Sequence, residues 1–212
     1  MPGDWVSIAV LGAAVLGVVN IIDSHLISRR MPSLRAYLLP IGLVILVYGL
    51  VLFYLFPLPE GIDIRTLMVA LASGVLRTTA LTIMLYTMKR EEVSRVIPMV
   101  YTYPIFVAIM AVPLLGETLG YLEWIAIIIV VAGAVMVSAR WDLGGPATWL
   151  GRSFLILFGS SLLIAMADIA SKYALAYISF WNMFWLSTFS MSSIFILISL
   201  RPHIIRQLSN MK

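Results

Sequence analysis

Residues Glu91–Val137 read EEVSRVIPMVYTYPIFVAIMAVPLLGETLGYLEWIAIIIVVAGAVMV. Two long apolar runs stand on either side of a short loop marked by Gly116-Glu117. Crossing a bilayer core takes about 20 apolar residues in a helix, and each run has about that length. Pro98 and Pro104 lie inside the first run. They free backbone carbonyls there, which a membrane tolerates only where neighbouring groups or water satisfy them.

The rest of the chain has the same character. It is 62% hydrophobic and 11% charged over 212 residues, with a mean hydropathy of +1.04. A soluble domain carries about 25% charged residues, so a water-soluble enzyme and a disordered chain are both excluded. The net charge of +4 comes from scattered residues, not from a basic stripe, so nucleic acid is not an expected partner. The absence of cysteine excludes disulfides, thiolate metal sites and thiol catalysis. No residue pattern implies a cofactor or a metal.

Seven segments are long and apolar enough to span: 5–28, 35–56, 64–88, 94–115, 121–139, 152–177 and 182–200. None has the period-two alternation of a membrane barrel. The first lacks the basic leader of a signal peptide. The expected fold class is an all-α polytopic membrane protein of seven transmembrane helices. Basic residues set its orientation. Arg29, Arg30, Arg35, Lys89, Arg90, Arg95, Arg140, Arg152, Arg201, Arg206 and Lys212 fall on one face, which is 11 of the 14. Arg65 is on the other, and Arg77 and Lys172 are inside spans. The expectation is a multi-pass protein of the cell (inner) membrane with its C-terminus in the cytoplasm and its N-terminus outside.

A shift of 147 residues lays the sixth and seventh spans over the first and second. Gly12 falls on Gly159, Ile22 on Ile169, Ser24 on Ser171 and His25 on Lys172. A five-span unit is odd in number, so its second copy enters the membrane inverted. The loop Tyr177 to Trp181 accordingly carries no cation where its counterpart carries three arginines. Inverted repeats are a transporter signature, with the substrate site near mid-membrane between the halves. The expected organisation is a first five-helix repeat over 1–140, a connecting loop over 141–151 and a partial second repeat over 152–212.

The stretch from Glu91 to Val137 resembles helices 4 and 5 of an EamA-type repeat of the drug/metabolite transporter superfamily. The resemblance rests on Ser94, Pro98, Pro104, Gly116-Glu117, Trp124 and Gly133, in that order. Ala170 to Leu175 is similar to the end of the first helix of such a repeat, where a lysine is common. The resemblance implies a ten-helix fold carrying small metabolites, amino acids or drugs. A complete second repeat would run to about residue 285, three helices further. Members usually start in the cytoplasm, whereas the charge bias here places the start outside.

Polar residues inside spans are the candidate substrate-binding groups, because charge there is costly and faces a cavity or a partner. Arg77 lies about 20 Å along its span at roughly 1.5 Å per residue, among Ser73, Thr78, Thr79 and Thr82. It reads either as an anion-binding group or as a structural arginine paired with Asp23 or Asp168. Asp168 and Lys172, four apart and acid first, suit an intrahelical pair. Asn20 and Asp23 share a helix face, and Asp23 could take a coupling proton or a cation, or sit solvated near Arg29. His25 points away from Asp23 and reads as interfacial. Tyr101, Thr102 and Tyr103 between the two prolines could form an aromatic wall against substrate or simply pack. Glu117 reads as a cap or brace for its loop, and Ala132-Gly133 as a small-residue contact.

A retinal protein needs a lysine deep in its last span, and 182–200 has none. A receptor would end its third helix with an acidic-Arg-Tyr motif, and this one ends Tyr86-Thr87-Met88-Lys89. Gly159-Ser160-Ser161 is the nearest approach to a nucleophile turn and has no histidine to serve it, so no enzyme is expected. Two readings remain. One is a transporter working by alternating access, with the lipid bilayer and a small-molecule substrate as its partners. The other is a truncated or subunit-like membrane protein that forms a homodimer or needs a complementing membrane subunit.

Overall fold

The computed structural model describes residues 4–138, 152–202 and Ile204. The connecting loop 141–151, Arg140, Arg206 and Lys212 lie outside the described residues. The chain forms α1 (Asp4–His25), α2 (Leu34–Leu55), α3 (Ile64–Met88), α4 (Val93–Val100), α5 (Tyr103–Leu115), α6 (Tyr121–Ser138), α7 (Arg152–Leu175) and α8 (Phe180–Ser199). A π-helical turn, Leu26–Arg30, extends α1. The fold is therefore an all-helical polytopic membrane protein. Six spans are long and apolar enough to cross, counting α4 and α5 as one, and α6 adds a shorter apolar stretch, Tyr121–Ala134.

The segment expected as one helix over 94–115 is in fact two. Pro104 has no N–H to offer Val100, so the helix breaks at Tyr101–Thr102 and restarts with the proline in its first turn. Gly116, at φ 68°, ends α5 in the left-handed conformation that favours glycine. Ser33 and Ser179 each cap a helix by accepting from the backbone three residues on, Ala36 and Asn182 respectively, at 3.2 Å. These two caps open α2 and α8, the two helices that the 147-residue shift superimposes, to within one residue.

The bundle is built on antiparallel pairs, with α3 against α7 and α2 against α8 as the most extensive contacts. Small residues let the backbones approach. A Cβ on Gly74 would lie 2.7 Å from Ser190 Cβ and 2.9 Å from Ser187 Cα. Gly42 and Gly49 meet Phe195 and Thr188 in the same way, each with a 3.1 Å approach. At one end of this pairing Asn182 Nδ2 and Trp185 Nε1 donate to the Phe56 carbonyl at 2.8 and 3.0 Å, satisfying the end of α2. Among the described residues nothing lies within 4 Å of where a Cβ on Gly133 would be.

Among the described residues the core gathers into two larger apolar clusters and a small third one of Ala36, Leu39 and Ile204. Of the larger two, one gathers Leu38, Ala80, Met84, Val100 and Ile164, and the other Leu52, Ala70, Ala174 and Trp185. The helix α1 takes little part in either, since every described side chain from Val6 to Val19 is exposed.

Candidate functional site

Arg77 lies on α3 between Ala70 of one cluster and Ala80 of the other. Asp168 lies on α7 between Ile164 and Ala174, at the same seam. The two side chains form an ion pair through Arg77 Nη2 and Asp168 Oδ1. Helix geometry brings this about. Side chains tilt toward the N-terminus of their own helix, and α3 and α7 run in opposite directions. Arg77, about 20 Å along α3, and Asp168, about 10 Å from the end of α7 at roughly 1.5 Å per residue, therefore reach toward each other. The pair keeps some exposure, 38% for the Arg77 side chain and 28% for Asp168.

Tyr103, in the first turn of α5, lies within the field of both charges. Its ring stands 6.1 Å from that of Tyr101, at 57°. Tyr101 is exposed, whereas Thr102 is buried. Tyr103 thus stands near the charges with Tyr101 beside it, while Thr102 turns inward. Thr102 Oγ1 lies 3.1 Å from Ser161 Oγ and donates to the Met99 carbonyl at 2.7 Å.

Serines at 160 and 161 join α7 to its neighbours. Ser160 Oγ donates to the Ala80 carbonyl at 2.9 Å. Ser161 Oγ donates at 3.0 Å to the Val100 carbonyl, the acceptor that Pro104 leaves empty. Sequence reasoning weighed these serines only as a nucleophile turn. The signal for the role of Ser161 was the proline four residues beyond Val100, which leaves a carbonyl in need of a donor.

One expectation is corrected. Asp168 and Lys172 do not pair along their helix. Asp168 goes to Arg77, and Lys172 reaches Glu117 in the loop after α5. The two pairs tie α7 to α3 and to the loop between α5 and α6. Glu117 braces its loop as expected, but onto α7. The hydroxyls around Arg77 are turned back on their own helix: Ser73 donates to Ala70, Thr78 to Gly74, Thr79 to Val75 and Thr82 to Thr78.

Asp23 was the other carboxylate considered for Arg77. It accepts instead from the hydroxyl of Tyr37 on α2, a partner that sequence reasoning missed. Tyr37 is only 4% exposed. Asn20, one turn earlier on the same face, is the first buried side chain of α1. His25 is exposed. The candidate residues thus fall into three groups: Arg77, Asp168 and the tyrosines at the seam, Lys172 with Glu117 beyond them, and Asn20 with Asp23 at the end of α1.

A family model described as the EamA-like transporter family matches residues 4–139. No curated protein and no solved structure matches the chain.

Proposed function

The chain belongs to the EamA-like transporter family, and from that premise we propose that it moves a small charged solute across the bilayer by alternating access, with the Arg77–Asp168 pair as its binding site. Arg77 anchors an anionic group of the substrate, and Asp168 takes a cation, either a second group of the substrate or a coupling ion. Asn20, Asp23, Tyr101, Thr102 and Lys172 complete the set of candidate contacts.

The observation that carries this reading is the pair itself: a neutralised but partly exposed arginine–aspartate couple within the apolar spans, at the seam of two clusters. Charge at that depth is costly and is retained where it serves a pathway or a partner. Arg77 belongs to the first repeat and Asp168 to the second, so their contact bridges the two bodies that alternating access would rock. A substrate bearing either charge can displace the opposite member and loosen that bridge. Asp168 is favoured over Asp23 as the cation site because Asp23 is held by Tyr37. We place the end carrying Arg29, Arg30, Lys89 and Arg90 in the cytoplasm, which puts the N-terminus outside.

Uptake of a panel of amino acids, organic anions and organic cations into proteoliposomes tests this. Arg77→Ala should lower uptake of the transported class by at least about tenfold, the worth of one charge-assisted contact. The swap Arg77→Asp with Asp168→Arg should restore folding without restoring transport. Full transport by the swapped protein would assign the pair to structure alone.

A second reading has its own support in α1. The repeat sets α1 in the place of α7, and α7 is held by α3. The neighbour of α1 would then be a helix standing to it as α3 stands to α7, in the third position of a second repeat. The exposed run Val6–Val19, with Ala9, Ala13 and Gly17 along one side, is the face it would cover. Under this reading the chain completes its fold with a partner or with a second copy. A native mass measurement in nanodiscs that finds only monomer, combined with transport by that monomer, rejects it.

A further inference from the structure

Away from the seam, a cavity of about 600 Å³ opens at the end of the bundle where α2 begins and α3 and α8 finish. Three cations line it: Arg35, Lys89 and Arg90. Among the described residues, Arg35 and Lys89 make no ion pair with a carboxylate. Arg90 is held with its guanidinium 4.6 Å from the centre of the Tyr86 ring, which also lines the cavity. The nearby acids are turned elsewhere: Glu91 accepts from Ser153, and Glu92 pairs with Arg95. Neither carboxylate lines the cavity.

The backbone adds to the same field. The N-terminus of α2, at Ser33, Leu34 and Arg35, faces the cavity with the positive end of its dipole. The Ser33 hydroxyl is taken by Ala36, one of the first-turn donors. Lys89 and Arg90 follow the carbonyl end of α3, Lys89 as its C-cap, and both line the cavity. Apart from Thr82 the remaining walls are apolar, from Leu34, Leu38, Ile198 and Ile204. Volume, three cations and a helix start against apolar walls describe a pocket for an amphiphilic anion.

The geometry points to a phosphate-binding site in this cavity, separate from the Arg77–Asp168 pair and independent of the transport reading. Its phosphate is either the headgroup of an anionic phospholipid, whose chains continue along the apolar wall, or a free phosphate. Basic residues at a membrane surface attract anionic lipid with about a fivefold gain in affinity for each cation, so three confer about a hundredfold.

The protein is reconstituted in phosphatidylcholine nanodiscs with and without phosphatidylglycerol, and retained lipid is counted by native mass spectrometry. In parallel its melting temperature in detergent is followed against inorganic phosphate. The triple substitution Arg35→Gln, Lys89→Gln, Arg90→Gln is compared with Arg65→Gln at the other end, and both are checked for unchanged melting without ligand. Retained phosphatidylglycerol that is lost in the triple variant alone identifies a lipid headgroup site. Saturable stabilisation by phosphate, lost in the triple variant without lipid retention, identifies a free-phosphate site. Retention and stabilisation that are both absent, or equal in wild type and triple variant, overturn the proposal.

Discussion

Ser161 Oγ on α7 lies 3.0 Å from the carbonyl oxygen of Val100, the one acceptor in α4 that Pro104 is unable to serve. A break in a membrane helix is tolerable only when such freed groups find partners, and here the donor comes from α7. Removing it with Ser161→Ala should cost about 1 kcal/mol, in line with interhelical hydrogen bonds in bilayers. Pro104→Ala restores an N–H at position 104 and should make Ser161→Ala nearly neutral. Reversible unfolding in mixed micelles across the four variants measures the coupling, and strictly additive effects would refute the relationship.

Gly74 on α3 packs tightly against α8. Its missing Cβ would meet Ser190 Cβ at 2.7 Å and the Ser187 backbone at 2.9–3.0 Å. Backbone yields less readily than a flexible side chain, so Gly74→Ala should destabilise by about 1–3 kcal/mol through overpacking. Gly17→Ala, with nothing within 4 Å, should stay within about 0.5 kcal/mol. Thermal melting of both variants gives the comparison, and equal melting would contradict the packing.

Lys172 and Glu117 pair with side-chain exposures of 61% and 31%. An exposed pair is worth little, so Lys172→Gln should change stability by less than about 1 kcal/mol. If Lys172 touches substrate, the same variant should raise KM while leaving melting unchanged. A large stability loss with unaltered KM would make the pair a clamp between α7 and the α5–α6 loop.

Tyr37 holds Asp23 from inside the bundle. Tyr37→Phe removes the donor but keeps the ring in its buried place, and should cost about 1–3 kcal/mol, the range for a hydrogen bond to a charged group. Asp23→Asn keeps an acceptor for the tyrosine and should cost less. Denaturant midpoints that rank the two in the opposite order would show that Asp23 has another partner.

Much of the fold could be read along the chain. Six of the seven expected spans match helices long and apolar enough to cross, with ends within a few residues. Arg77 was singled out because charge inside an apolar run is conspicuous without any knowledge of packing. The choice between Asp23 and Asp168 as its partner was not legible. The i, i+4 spacing of Asp168 and Lys172 even suggested a local pair that the bundle replaces with two cross-element pairs. The hydroxyls around Arg77 on α3 satisfy carbonyls of their own helix, which composition does not reveal.

The sequence by itself determined that this protein crosses a membrane several times as helices, where those helices lie and which transporter family it belongs to. It could do so because the bilayer acts on each segment separately, through the length of an apolar run. Tertiary structure alone decided that Arg77 meets Asp168, that Ser161 closes the break at Pro104 and that α1 leaves its side chains from Val6 to Val19 exposed. Those outcomes depend on the register of antiparallel helices and on which way each side chain leans. Spacing along a single helix carries no record of either.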